Sequence, residues 1–157
     1  MRIDFFGGFG EKGRTSIGVS ASKNIMLDAG IKVGASGRDY YPLINENEIK
    51  ELDAVFISHA HEDHIGGLNW LLYYGFNGTI YMTRETLDDA EAMLSQYADP
   101  DHRKAYSFSD KTVKIFTAGD NITIGDMVIS SGRSGHVAGG VWFSVKAENK
   151  TIVYSGI

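Results

Sequence analysis

Apolar residues along this chain alternate at first, then recur with helical spacing, then alternate again. Residues 2–6 read as a strand, and Ser16–Ser20 and Asn24–Leu27 read as the arms of a hairpin across Ser22-Lys23. A loop runs from Gly30 towards Pro42, and Glu48–Leu52 has the makings of a short helical turn. Asp53–Ser58 is short, apolar and bounded by polar residues, the pattern of a buried strand. From about His64 the pattern becomes helical, with Ile65, Leu68, Leu71 and Leu72 at spacings of three and four. Thr79–Met82 predicts another short strand, and Thr83 an N-cap for a helix through Leu94 that turns Leu87, Ala90 and Leu94 inward. Asp99–Ala105 predicts a polar loop, and Asp110–Phe116 a helix in preference to a strand. Asn121–Ile124 and Met127–Ser131 join through Gly125-Asp126, a natural tight-hairpin pair, and Val141–Lys146 and Thr151–Tyr154 through Glu148-Asn149. Strands, two central helices and strands again predict an α/β (α+β layered) fold, a mixed sheet with helices on one face.

Composition narrows the function classes more than the fold. The 157 residues fit one domain with a real core. There is no cysteine, which excludes disulfides and thiolate chemistry and fits a cytoplasmic protein. The N-terminus lacks the apolar stretch of a signal peptide, and no apolar run approaches the ~18 residues of a membrane span. A net charge of −5 argues against a basic nucleic-acid binder but leaves room for a local basic surface. Lys104, Lys111 and Lys114 are too sparse to supply one, and His102 reads as a solvated loop residue. Trp70, Tyr73 and Tyr74 follow the helical pattern and read as core.

The candidate chemistry lies in the histidines. His59, His61, Asp63 and His64 fall within six residues, directly after the apolar run Ala54–Ile57, and His136 stands in a Gly-rich segment, Gly135–Gly140. Imidazole and carboxylate are the ligands zinc takes when thiolate is absent. A strand ending at Ser58 delivers the next loop to the sheet edge, where His59 and His61 can face one side. Asp63 and His64 then stand where the next helix begins and can face a second point nearby. Such a density of ligands is not surface decoration. The His-Glu-x-x-His pattern of zincins fails, because its second histidine falls on Ile65.

His59-x-His61-x-Asp63-His64 after a short apolar strand resembles the signature of the metallo-β-lactamase fold superfamily. Asp28 in Leu27–Gly30 is similar to that superfamily's first motif, and His136 to its third-motif histidine. Gly7–Ser16 and Gly78–Thr83 resemble the β-CASP branch of RNA nucleases. The resemblance implies the first half of an αββα sandwich, with two zinc ions in a complete member and water activated there for phosphodiester hydrolysis. It implies that His59, His61 and His136 hold the first zinc, and that Asp63 and His64 hold the second. Asp28 would orient the metal-binding loop, so Asp28, Asp63 and His64 are the catalytic candidates. RNA is the implied substrate.

One position departs from this pattern. Ile157 stands where the family has a metal-bridging aspartate, and isoleucine has no lone pair to offer. Residues 1–157 are therefore expected to be one partial domain, without the β-CASP insertion or the C-terminal half, binding one zinc or none and hydrolysing poorly. A sheet left without its partner layer would expose an apolar face and favour self-association. The rival functions are a small-molecule ester or thioester hydrolase of the same fold and a non-catalytic scaffold, the latter favoured by Ile157. A P-loop in Gly8–Thr15 is a further rival, but Arg14 replaces its lysine and a strand follows where a helix is needed.

Overall fold

The computed structural model of the protein describes residues 1–97 and 113–157. Strands β1 (Arg2–Gly7), β2 (Ser16–Ser20), β3 (Asn24–Leu27), β4 (Ala54–Phe56), β5 (Thr79–Met82) and β6 (Val113–Ile115) form one sheet in that order. β1, β2 and β3 pair antiparallel, whereas β3 to β6 run parallel. The near-continuous apolar run of β4 follows from burial on both faces, the usual state of a central parallel strand. Ala54 and Phe56 enter one core, while Val55 and the adjoining Ile57 enter the other.

The first core lies under a layer of helices: α1 (Glu46–Lys50), α2 (Glu62–Ile65), α3 (Leu68–Tyr73) and α4 (Arg84–Tyr97). They bury Ile49, Ile65, Leu68, Leu71, Ala90 and Leu94 against Val55, Ile80 and Met82. The second core lies under another sheet, β10-β9-β8-β7, made of β7 (Asn121–Ile124), β8 (Met127–Arg133), β9 (Val141–Ala147) and β10 (Lys150–Tyr154). Its inward residues, Met127, Ile129, Val141, Phe143 and Val145, alternate with more open neighbours, as expected where a sheet covers a core with one face only. The layers are helices, mixed sheet, antiparallel sheet. Among the described residues no helix is long and apolar enough to cross a membrane.

Several expectations need correction. The chain builds two sheets where one was expected, so the inner face of the first sheet is covered by the chain's own second sheet. The premise of a bare apolar face driving self-association therefore does not hold there. Val113–Ile115 is a strand and not a helix, because its β-branched ends pair in parallel with Ile80 and Met82 at the sheet edge. The helix expected from His64 breaks at Gly66-Gly67, where the Gly67 N–H donates to the Ala29 carbonyl at 2.7 Å. α1 starts at Glu46, two residues before the expected turn, because the Asn45 side chain and Glu48 form a capping box. Tyr73 is exposed, while Trp70 is core. The expectations for 99–105, His102, Lys104 and Lys111 lie outside the described residues.

The Gly-rich turn after β1 is fixed by charge. Glu11 grips the Arg14 guanidinium through both oxygens, at 2.6 and 2.9 Å, and also takes Lys32 at 2.9 Å. Arg14 is buried at φ +41 and also reaches Asp39 at 3.0 Å. Strand β2 follows, so neither the cation nor the element a P-loop requires is available.

Hydrogen bonds from Arg14 and Lys32 hold the Glu11 carboxyl well below its ordinary value of 4.5, at about 2. Unfolded Glu11 takes up a proton below 4.5 while folded Glu11 stays ionised, so this contribution to stability is lost as pH falls from 4.5 towards 2. Urea titrations across that window should show a smaller loss of stability for Glu11→Gln than for the wild type. Equal losses would show that the Glu11 cluster does not stabilise the fold.

Candidate metal centre

The site lies beyond the C-terminal ends of the parallel strands, where open α/β sheets gather their functional loops. Asp28 follows β3, Ser58–His64 follows β4, Thr83 follows β5, and His136 comes from the loop between β8 and β9. Backbone bonds join the first two of these segments. Ala29 N–H donates to the His64 carbonyl at 2.8 Å, Ile31 N–H to Glu62 at 3.0 Å, and Thr15 N–H to Asp63 at 2.9 Å. The approach is so close that a Cβ on Gly30 would fall 1.8 Å from the Asp63 carbonyl oxygen. Only glycine fits. Glu62 contributes through its backbone carbonyl.

Asp28 is fully buried at φ +58, a left-handed conformation that aspartate tolerates better than most residues. Its carboxylate accepts from the Ser58 N–H at 2.6 Å, the Ser58 hydroxyl at 2.6 Å, His64 Nδ1–H at 2.7 Å and the Tyr154 hydroxyl at 2.5 Å. These bonds assign the imidazole protons. In its neutral form His64 carries its proton on Nδ1, which leaves Nε2 open towards Asp63 Oδ2, 3.9 Å away. The single Ser58 hydroxyl proton goes to Asp28. Its oxygen therefore accepts from His59 Nδ1–H at 3.0 Å, leaving the lone pair of His59 Nε2 free.

That lone pair points at two other imidazoles. His59 Nε2 is 3.0 Å from His61 Nδ1, which is 3.3 Å from His136 Nε2. The three nitrogens lie within 4.8 Å of one another, a group suited to one metal ion. A tetrahedral zinc with bonds of roughly 2.0–2.1 Å needs nitrogens about 3.3–3.4 Å apart, close to the 3.0 and 3.3 Å separations here. Burial, reinforced by the neighbouring His64, pushes His59 down to about 4, keeping the ring neutral as a ligand must be. Burial alone would also lower His64, but the Asp28 carboxylate overcomes this and raises it.

His136 is held in place by its loop. Ser134 N–H closes on the Gly140 carbonyl at 2.9 Å, Val141 N–H donates to Ser58 at 3.1 Å, and the Thr83 hydroxyl donates to Gly139 at 2.9 Å. All five candidate ligands therefore meet in one place. His59, His61 and His136 form one group, and Asp63 with His64 stands beside it, the His59 and His64 ring centres being 4.1 Å apart. Two contributors escaped the sequence reading, Ser58 and Tyr154. Neither residue type signals such a role, although Ser58 adjoins His59 and Tyr154 ends a strand on its buried side.

Comparison with known proteins assigns the chain. The family model described as "Anti-Pycsar protein Apyc1" matches residues 16–156. The chain belongs to this family. Among curated relatives, transcription termination factor FttA of Methanothermobacter thermautotrophicus is 36% identical over 66% of this chain and 17% of its own length. Ribonuclease TTHA0252 of Thermus thermophilus is 29% identical over 99% of this chain and 37% of its own. Cleavage and polyadenylation specificity factor 73 of Drosophila melanogaster is 30% identical over 99% and 24%. By name, the second of these relatives is a ribonuclease and the third a cleavage factor, in keeping with the RNA-nuclease branch that the sequence motifs resemble. The chain thus spans 17–37% of the length of these three relatives. In fold it is similar to the Rm3 metallo-beta-lactamase, with a TM-score of 0.66 at 20% identity, covering 96% of this chain and 56% of that one. A protein of unknown function from Enterococcus faecalis V583 gives a TM-score of 0.71 at 18% identity, over 96% and 42%.

Burial and the Asp28 charge push the Tyr154 phenol up, so it remains a donor at any ordinary pH. Tyr154→Phe keeps the ring and deletes one donor to a buried carboxylate, which should cost roughly 1.5–3 kcal/mol. Urea unfolding measures this directly. Unchanged stability would mean that Asp28 does not rely on the phenol.

Proposed function

We propose that this chain carries the metal-binding part of a metal-dependent hydrolase that cleaves RNA phosphodiester bonds. The observation that carries the proposal is the convergence of His59 Nε2, His61 Nδ1 and His136 Nε2 from two remote loops. The nuclease relatives support RNA as the substrate, and the nitrogen and oxygen donors of a cysteine-free chain favour zinc. Their greater length supports residues 1–157 being one part of a longer metallo-β-lactamase domain, so the activity is proposed for the whole protein. A cytoplasmic setting accords with the lack of cysteine.

In this reading His59, His61 and His136 hold the first zinc, while Asp63 and His64 serve a second. Bound zinc supplies Lewis-acid polarisation of a phosphoryl oxygen and makes water acidic enough to react near neutral pH. The chain's own contribution is to fix protons and orientations beforehand. Ser58 keeps the proton on His59 Nδ1, Asp28 keeps it on His64 Nδ1, and both Nε2 atoms stay free. Asp63, one-third exposed, presents its carboxylate beside His64 Nε2. Ile157 stands where the resemblance has a bridging aspartate and offers no ligand, which leaves the second pair short of donors.

The 157-residue chain should therefore hold one zinc firmly after dialysis, by elemental analysis, and His136→Ala should lose it. In the intact protein, chelation should stop RNA cleavage and added zinc restore it. Two tightly held zinc ions per chain, or unchanged zinc in His136→Ala, would contradict this assignment.

A further inference from the structure

A cavity of about 650 Å³ adjoins the histidine group, and His136 lines it. Its volume falls in the range of small-ligand sites, about 300–1,000 Å³. Arg84, at the start of α4, and Arg133, at the end of β8, both line it. Ile115 and Phe116, following the edge strand β6, supply an apolar side. His136 belongs to the histidine group and also borders this space, so the two regions adjoin at that residue.

The two arginines differ from the other described ones. Arg2 pairs with Asp4, Arg14 with Glu11, and Arg38 donates to the Ile44 carbonyl. Arg84 and Arg133 are exposed and make no ion pair or side-chain hydrogen bond among the described residues. Among the described residues Glu85 is the one carboxylate on the lining, and it stands next to Arg84 in sequence. In a chain of net charge −5, two guanidiniums without a partner among the described residues, lining one cavity, are suited to an anion bound there. The apolar side suits a ribose or base face.

We propose that this cavity seats the nucleotide next to the scissile phosphodiester of a single-stranded RNA, with Arg84 and Arg133 holding that nucleotide's phosphate. The inference rests on the proposed RNA hydrolase reading and adds to it a specific path for the strand, away from the metal on the His136 side.

The test is binding of a fluorescently labelled single-stranded RNA oligonucleotide to the intact protein, by anisotropy, with chelator present to prevent cleavage. Each arginine contact to a phosphate should contribute about 0.7 to the slope of log affinity against log salt. Arg84→Ala and Arg133→Ala should each weaken binding roughly tenfold at low salt, the lower end for a charge-assisted contact. The double variant should lower the salt slope by about 1.4. Lysine at both positions should restore the slope, because it keeps the charge. The cobalt absorption spectrum should be the same in all variants, showing an intact histidine group. Wild-type binding with an unchanged slope in the double variant would overturn this inference and leave the hydrolase reading standing. A wild-type protein that takes up cobalt but binds no RNA would overturn the RNA reading and this inference with it.

Discussion

The buried carboxylate of Asp28 ties together three segments remote in sequence: the end of β3, the loop after β4 and the end of β10. It does so with four donors and at a backbone conformation that few residues adopt without strain. A buried carboxylate is costly unless its hydrogen bonds are satisfied, and here the protein supplies them all from groups that must themselves be positioned. The consequence reaches the chemistry. Because Ser58 gives its only hydroxyl proton to Asp28, it can only accept from His59. Because His64 donates its Nδ1 proton to the same carboxylate, the neutral ring has its other nitrogen open. One anion thus sets the tautomers of two imidazoles.

The layered fold makes that arrangement possible. The loops meet because β3, β4 and β5 run parallel and end together, while the second sheet brings His136 and Tyr154 over the same edge. The close approach of backbones between residues 28–31 and 62–64 leaves no room for a side chain at Gly30. Ring positions are consequently set by main-chain bonds before any metal arrives. Such preorganisation is what a metal-binding site requires.

Much of this was legible in the sequence, for local reasons. The hairpins at Gly125-Asp126 and Glu148-Asn149 could be read because turn chemistry is local; Gly125, Glu148 and Asn149 adopt the positive φ such turns use. The histidine cluster was legible as a candidate metal centre because its spacing after an apolar strand is distinctive. What could not be read depends on partners distant in sequence. β6 is three residues on a sheet edge, defined by β5 and not by its own pattern. The division into two sheets depends on which strands associate, and alternation alone does not record that. Ser58 and Tyr154 act through Asp28, so their importance appears only when three segments are placed side by side.

The account stands or falls on whether the three imidazoles share one ion. Anomalous diffraction from crystals grown with zinc tests this most directly. The account predicts a single strong peak within bonding distance of His59 Nε2, His61 Nδ1 and His136 Nε2. Zinc bound elsewhere, or bound without His136, would contradict it.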